Sequence, residues 1–282
     1  MAANLITPYT SLDDGIGTGV EMLQAAVAQY QPYFTIALIS GGIDSLTAYQ
    51  VAKRAGVVVD AILHIRTRTG IPETSTWVRW FALREDVRYI EADAGDAFER
   101  RVRDKGFYGI GNQAHSFAYH QLKHGPLRHA ISWHIRRNLH KRRILLINGA
   151  RMHESATRKR KHPDPVRVSG ANIWVSPIHG WNAAIRHDML ATVEAPINPV
   201  TKLLCRSGEC FCGTTQKQAQ RTEAAYWYPV WGQWMDALDR HTQEVHGYGW
   251  GMAMPGQLTG QPLHLRSPAR VLCGSCIEGE PT

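Results

Sequence analysis

Phe34-Thr35-Ile36-Ala37-Leu38-Ile39-Ser40-Gly41-Gly42-Ile43-Asp44-Ser45 is the stretch that decides the fold of this chain. Residues 34–39 form a short, unbroken apolar run with β-branched side chains, the composition of a central parallel strand buried on both faces. Ser40-Gly41-Gly42 ends the run, and the residues from Asp44 to Ala55 have the pattern of a helix. Strand, glycine turn and helix in that order bring backbone N–H groups, two hydroxyls and a helix N-terminus toward one point, which makes an anion site. The glycine pair permits close backbone approach, and Asp44 is positioned to cap the helix or to reach a phosphate-bound magnesium ion. The loop is not a Walker A loop, because no Gly-Lys-Ser/Thr follows at the required spacing.

Working outward, residues 16–30 carry apolar positions at helical spacing before Pro32, so a helix feeds the strand. Val57 to Ile65 reads as a second buried strand, which completes a βαβ unit. Arg88 to Ala92 is a weaker third strand and Arg143 to Gly149 a strong fourth. The expected fold class is α/β: a parallel twisted sheet flanked by helices, with ligands at the carboxyl ends of the strands. Residues 1–200 are expected to form the nucleotide-binding domain, and 201–282 a C-terminal helical and loop segment. That segment opens with a Trp-rich helix (Tyr226, Trp227, Trp231, Trp234) and continues into a Gly/Pro-rich stretch from Gly247 to Pro268.

The 282 residues are 44% hydrophobic, 20% charged and 9% aromatic, which excludes disordered, collagenous and coiled-coil chains. Five cysteines are too few for a disulfide scaffold and too odd to pair fully, which fits a reducing compartment. No stretch approaches the length that spans a bilayer, so a cytoplasmic protein without a membrane partner is expected. The net charge is +8, and it is unevenly placed. Lys123 to Arg167 holds 13 basic and two acidic residues, a net +11, against −3 for the rest. Clustered cations of this kind suit phosphates, and they make nucleic acid a candidate partner. The plainer reading of His134 to Arg143 is a solvated helix face. Arg158 to His162, followed by Pro163 and Pro165, reads as a basic loop.

Gly149 ends the fourth strand, so its backbone can approach a ligand, and Arg151 and Arg158 lie in the loop beyond it. Guanidinium forks suit phosphate oxygens, and Glu154 between them would orient one fork or assist a metal. Cys210-Phe211-Cys212-Gly213 and Cys273-Gly274-Ser275-Cys276 supply four thiolates with glycines beside them, a metal pattern that zinc and iron–sulfur clusters both accept. Cys205 is left over, or replaces one of the four.

Five segments, in order across residues 34–213, resemble those of the ATP pyrophosphatase (PP-loop) superfamily and its phosphoadenosine phosphosulfate reductase-like branch. The loop Ser40 to Ser45 is similar to the pyrophosphate loop. His64-Ile65-Arg66-Thr67-Arg68-Thr69-Gly70-Ile71-Pro72-Glu73-Thr74 resembles the strand-end segment with Thr-Gly and Pro-Glu-Thr. Leu122-Lys123-His124-Gly125-Pro126-Leu127 resembles Lys-x-x-Pro-Leu, and Ser176-Pro177-Ile178-His179-Gly180-Trp181 resembles Pro-Ile-x-x-Trp. Asn148 to Arg158 resembles Gly-x-Arg-x-x-Glu-Ser-x-x-Arg. Ile43 departs from the pattern, since many members carry lysine there.

The resemblance implies that ATP or an adenylyl sulfonucleotide, with magnesium, binds at Ser40, Gly41, Gly42, Asp44, Ser45, His64, Gly149, Arg151, Glu154 and Arg158. Asp44, Arg151 and Arg158 would be the catalytic set. It favours an iron–sulfur cluster of the 4Fe-4S kind on Cys210, Cys212, Cys273 and Cys276, as in phosphorothioation-type members, with zinc as the alternative. The expected function is ATP-dependent, adenylylating, pyrophosphate-releasing sulfur transfer, with sulfur handled at the cluster, a sulfur donor protein as a further partner and nucleic acid as a candidate acceptor. A sulfonucleotide reductase is the alternative, although the Glu-Cys-Gly-Leu-His-like motif of that family is missing from residues 273–282. A non-catalytic nucleotide- or DNA-binding subunit is the third reading, kept by Ile43.

Overall fold

The computed structural model describes residues 11–136, 142–152 and 164–256. Its centre is a six-stranded sheet in the order β3-β2-β1-β4-β6-β5, parallel except that β5 runs antiparallel to β6. The strands are β1 Phe34–Leu38, β2 Ala61–Arg66, β3 Arg88–Asp93, β4 Ile144–Ile147, β5 Val166–Ser169 and β6 Asn172–Val175. The helices before the last strands are α1 Leu12–Tyr30, α2 Ile43–Arg54, α3 Pro72–Arg84, α4 Ala97–Lys105, α5 Asn112–Tyr119, a π-helical turn at His120–His124 and α6 Gly125–His134. After β6 come α7 Ala183–Thr192, α8 Pro199–Leu204, α9 Gln218–Trp227 and α10 Pro229–His246. This is the expected α/β class.

Sheet and helices close on each other through the apolar runs that mark the sequence. On one face, Leu23 of α1, Val51 of α2, Met189 of α7 and Trp181 just before α7 are buried against Leu145, Ile147 and Val175. On the same side α3 buries Val78 and Phe81 against Ala37, Ile39 and Ile62. On the other face α6 packs Leu127 and Ile131 against Leu38, Leu63, Ile90 and Leu146. The C-terminal helices α9 and α10 do not stand apart. Phe211, Trp231, Met235 and Trp250 share one cluster with Phe98 of α4 and Phe107, and Val200 and Leu204 belong to it too.

Three local expectations change. The second strand begins at Ala61 rather than Val57, because the Asp60 carboxylate accepts from the Thr35 N–H (2.7 Å) while the Asp60 N–H donates to the Thr35 carbonyl (2.9 Å). That leaves Val58 outside the ladder and 76% exposed. The Trp-rich helix is two helices, since Tyr228 leaves helical geometry and Pro229 starts α10. The hairpin β5–β6, turning at Gly170 with φ +60°, was not anticipated, although its alternating Val-Arg-Val-Ser and Asn-Ile-Trp-Val carry the period of strands. Among the described residues no helix is long and apolar enough to cross a membrane.

The β2–β3 pair is stitched by charge: Arg66 to Glu91 (3.2 Å) and Arg68 Nε to Asp93 (2.8 Å). Hydrogen bonds from Arg68 hold the Asp93 carboxyl below its ordinary range. A depressed carboxyl stabilises the fold above its unfolded value, about 4, and that contribution is lost as pH falls through the folded value. Urea unfolding should therefore weaken more steeply below about pH 4 in the parent than in Asp93→Asn; parallel pH profiles would contradict this.

Candidate functional site

The turn after β1 is built by its own side chains. The Ser45 hydroxyl donates to the Gly42 carbonyl (2.9 Å) and accepts from the Ser40 N–H (3.2 Å), while the two serine hydroxyls lie 3.2 Å apart. These hydroxyls thus close the loop, where the sequence reading had them converging on a ligand. Gly41 adopts φ +83°, and a Cβ there would lie 2.7 Å from Thr74 Cγ2 and 2.9 Å from Asn198 Nδ2. Its carbonyl accepts from Asn198 Nδ2 (3.2 Å) and Thr201 Oγ1 (2.8 Å), so α8 braces the loop from above the sheet. Asn198 and Thr201 carry no local signal of this role. Gly42 occupies the N-cap of α2 without a side-chain cap, and the N–H groups of the first turn have no acceptor within the helix.

Asp44 does not cap that helix. Its carboxylate accepts from Arg151 Nε (3.1 Å) and from Arg186 Nη1, which reaches over from α7. Both guanidinium groups are mostly buried, at 12% and 14% exposure. Arg151 also donates to the Trp181 carbonyl (3.4 Å). The turn that aims Arg151 is fixed by Asn148, whose Oδ1 accepts from the Ala150 N–H (2.9 Å) and the Ser176 hydroxyl (2.8 Å). Two guanidinium groups and one carboxylate at the positive end of α2 leave a net positive charge. Arg186 was not singled out in the sequence, and it brings to the loop the cation that Ile43 omits.

Gly149 is needed for a different close approach than expected. A Cβ there would fall 2.4 Å from the Asp44 carbonyl carbon and 2.6 Å from the Ser45 nitrogen, so the end of β4 lies directly against the first turn of α2. These are backbone atoms that cannot swing aside. Gly149→Ala should cost about 1–3 kcal/mol by overpacking and disturb Asp44 in the same step. Thermal unfolding and nucleotide binding check this, and an unchanged variant would contradict it.

His64 lies inside the wall and is fully buried. Its Nδ1 donates to the Ile39 carbonyl (2.9 Å), and its Nε2 faces Ser75 Oγ (3.0 Å) and Glu209 Oε2 (3.2 Å). Burial pushes this imidazole down, but the adjacent Glu209 carboxylate and the bond to Ile39 lift it above its ordinary value. Lys123 is buried in the π-helical turn. Glu154 and Arg158 lie outside the described residues, as do Cys273, Cys276 and the basic residues 158–161. Of the remaining basic segment, Arg136 binds Asn172, while Arg142 and Arg143 stack over Tyr33 (4.5 Å) and Tyr30 (5.3 Å). Arg142 and Arg143 remain exposed.

The cysteine loop is clamped onto the end of β2. Glu209 accepts from the Thr67 N–H (2.7 Å), the Gly208 carbonyl accepts from the Ile71 N–H (2.8 Å), and the Phe211 N–H donates to Thr69 Oγ1 (2.9 Å). Gly70 permits this, since a Cβ would meet the Glu209 carbonyl oxygen at 2.4 Å. Cys205 is exposed, Cys210 half-buried and Cys212 buried. The hydrogen bond shared with Cys210, followed by burial, pushes the Cys212 thiol well above its ordinary value. Among the described residues no group of three or more metal-binding side chains forms, and the two thiols 3.8 Å apart are the donors on hand. A cleft of about 520 Å³ opens beside this loop, lined in part by Arg68, Ser75, Glu99, Glu209, Trp231 and Trp234.

Residues 35–215 match the model of the phosphoadenosine phosphosulfate reductase domain. No curated protein matches the chain. Among solved structures, a phosphoadenylyl-sulfate reductase from Candida auris is similar at 17% identity and TM-score 0.45, over 68% of this chain and 90% of that one. A U34-tRNA thiolase from Methanococcus maripaludis, solved with a [4Fe-4S] cluster, shares 11% identity at TM-score 0.45 over 92% of each chain. An NAD+ synthetase from Burkholderia pseudomallei shares 12% identity at TM-score 0.44, over 80% of this chain and 90% of that one.

Proposed function

We propose, for a chain that belongs to the phosphoadenosine phosphosulfate reductase domain family, that it binds ATP at Ser40–Ser45 and activates an acceptor for sulfur transfer. An acceptor oxygen attacks the α-phosphorus, the bond to the bridging oxygen of the β-phosphate breaks, and pyrophosphate leaves with the electron pair. The observation that carries this reading is the convergence of Arg151 and Arg186 on Asp44 at the N-terminus of α2. Guanidinium forks match phosphate oxygens, and the first-turn N–H groups of α2 add donors at the same end. The Asp44 carboxylate would hold magnesium once the two forks engage the phosphates, and the ion would supply charge neutralisation for the leaving pyrophosphate. Arg158 and Glu154 are assigned to the same phosphates by the resemblance alone. His64 then holds the cysteine loop through Glu209 and shapes the site from behind.

Cys210 and Cys212 are proposed as half of a metal centre that Cys273 and Cys276 complete. Thiolates are what zinc and iron–sulfur centres select, and the pair fits that chemistry.

Nucleic acid is the proposed acceptor, through the basic segment 123–167. Arg136 and Arg151 are engaged inside the fold, and the counterion-releasing contacts are assigned to the basic loop residues Lys159, Arg160 and Lys161. Neutralising these three together should flatten the slope of log affinity against log salt by up to about three contacts without abolishing ATP binding. An unchanged slope would remove them from the interface.

Titration calorimetry with magnesium tests the nucleotide. ATP should bind more tightly than phosphoadenylyl sulfate or adenylyl sulfate; the reverse order would favour a sulfonucleotide reductase.

A further inference from the structure

We propose that the cleft beside the cysteine loop holds one unstacked nucleobase of a single-stranded acceptor, next to the phosphate loop but apart from it. This rests on nucleic acid as the acceptor, proposed above, and adds where the strand is gripped. The cleft encloses about 520 Å³, a volume in the range of small-ligand pockets. A wall separates it from the phosphate loop. Gly41 packs against Thr74, and a Cβ on Gly42 would meet Ser207 Cβ at 3.2 Å, so Thr74 and Ser207 both lie against that loop. The Thr74 hydroxyl donates to the Ser207 carbonyl (2.8 Å) and closes the wall. Ser75 and Glu209, a step further along each segment, line the cleft instead.

Two surfaces of different chemistry meet there. One is aromatic: Trp231 and Trp234 stand a helical turn apart on α10, and each is held from behind. Trp231 Nε1 donates to the Thr69 carbonyl (3.1 Å) and its ring packs on Phe211, while the Trp234 centroid lies 6.0 Å from that of Phe98. Indoles fixed in this way are stacking platforms. The other surface is a polar floor, where Ser75 Oγ and Glu209 Oε2 converge on His64 Nε2 at 3.0 and 3.2 Å. Against the cost of burial, the Glu209 carboxylate and the Ile39 carbonyl lift that imidazole above its ordinary value, so Nε2 donates toward both. The Ser75 hydroxyl thereby keeps its own proton to give, and the Glu209 carboxylate, which takes one N–H from Thr67 (2.7 Å), has acceptor capacity left. A donor beside an acceptor matches the pairing edge of a nucleobase, whichever base it is, and matches no aromatic side chain. The charges of the lining are already paired: Arg66 with Glu91, Arg68 with Asp93, Asp96 with Arg100, Glu99 with Arg103 and Glu209 with His64. No surplus charge is left for a free triphosphate, so the open functions are an aromatic face and one donor–acceptor edge.

The full chain is titrated at low salt with a short single strand, as DNA and as RNA, and with its abasic counterpart, which keeps every phosphate. The abasic strand should bind about fivefold to a hundredfold more weakly, the effect of losing one stacked base. Only the base-bearing strand should quench tryptophan fluorescence. Trp234→Ala should erase the difference between the strands and leave ATP affinity, measured by calorimetry, at the parent value; Trp234→Phe should restore part of the difference. Should Trp234→Ala not fold, loss of the quench in Trp234→Phe with the strand still bound carries the test. Equal affinity for the two strands, or a difference that survives in folded Trp234→Ala, overturns the cleft and leaves the nucleic-acid acceptor standing. Weakened ATP binding in Trp234→Ala assigns the cleft to the base of ATP and likewise overturns the proposal. Binding of neither strand overturns both the cleft and the acceptor.

Discussion

Replacing Arg186 with alanine should weaken ATP binding about tenfold to a hundredfold, the equivalent of one charge-assisted contact of about 1.5–3 kcal/mol. The residue sits on α7, is mostly buried, and reaches Asp44 across the mouth of the loop. Ile43 supplies no charge to the phosphates, so the site depends on the two arginines more than it would with a lysine in the loop. Arg186→Lys should recover part of the affinity, because it keeps the charge and loses the planar fork. Asp44→Asn should behave differently, lowering magnesium-dependent turnover more than nucleotide affinity. Binding calorimetry beside a turnover assay, both at fixed magnesium, separates these outcomes. Parent-like affinity in Arg186→Ala would mean that the phosphates bind elsewhere.

Phe211→Ala should cost about 3–5 kcal/mol of stability, the usual loss for emptying a fully buried aromatic position. That is a large fraction of the about 5–15 kcal/mol that holds a domain together. The damage should begin at the clamp between the cysteine loop and the end of β2, where the Phe211 backbone bonds Thr69 and Trp250. Hydrogen exchange should rise first at residues 67–71 and 205–214, with the sheet centre unaffected. Phe211→Leu, which fills most of the volume, should cost less than about 1.5 kcal/mol. A loss below about 1 kcal/mol for Phe211→Ala, within the range of ordinary surface changes and conservative swaps, would show that this ring does not organise the loop.

Those two residues mark the boundary of what the sequence makes legible. The strand–loop–helix at 34–54 is readable because its signals are local: an apolar run, a glycine pair and a helical period within about twenty residues. Arg151 is readable for the same reason, lying just past an apolar strand that ends in glycine. Arg186 is not, because its partner is 142 positions away and nothing in Arg-His-Asp-Met-Leu marks a helix face turned toward another loop. Asn198 and Thr201 are hidden likewise, since their bonds to the Gly41 carbonyl span 157 and 160 positions. Gly149 shows a subtler gap: sequence reveals that a glycine must be approached closely, but the approaching group is the backbone of Asp44 and Ser45. The start of β2 was misjudged because β-branched Val57 to Val59 look like strand while Asp60 takes the hydrogen bonds of Thr35. Glu209 and His64, a buried pair joining the cysteine loop to the sheet, became visible only once β2 and residues 205–214 were brought together.

The central claim is that the loop at Ser40–Ser45 serves cleavage of ATP at its α-phosphorus. The most direct measurement is separation of the nucleotide products formed from α-labelled ATP and magnesium by the purified chain, supplied with nucleic acid as acceptor. The account predicts label in AMP or in an adenylylated acceptor, pyrophosphate in equal amount, and loss of both in Asp44→Asn and Arg151→Ala. Formation of ADP and inorganic phosphate, or turnover that survives both substitutions, would contradict it.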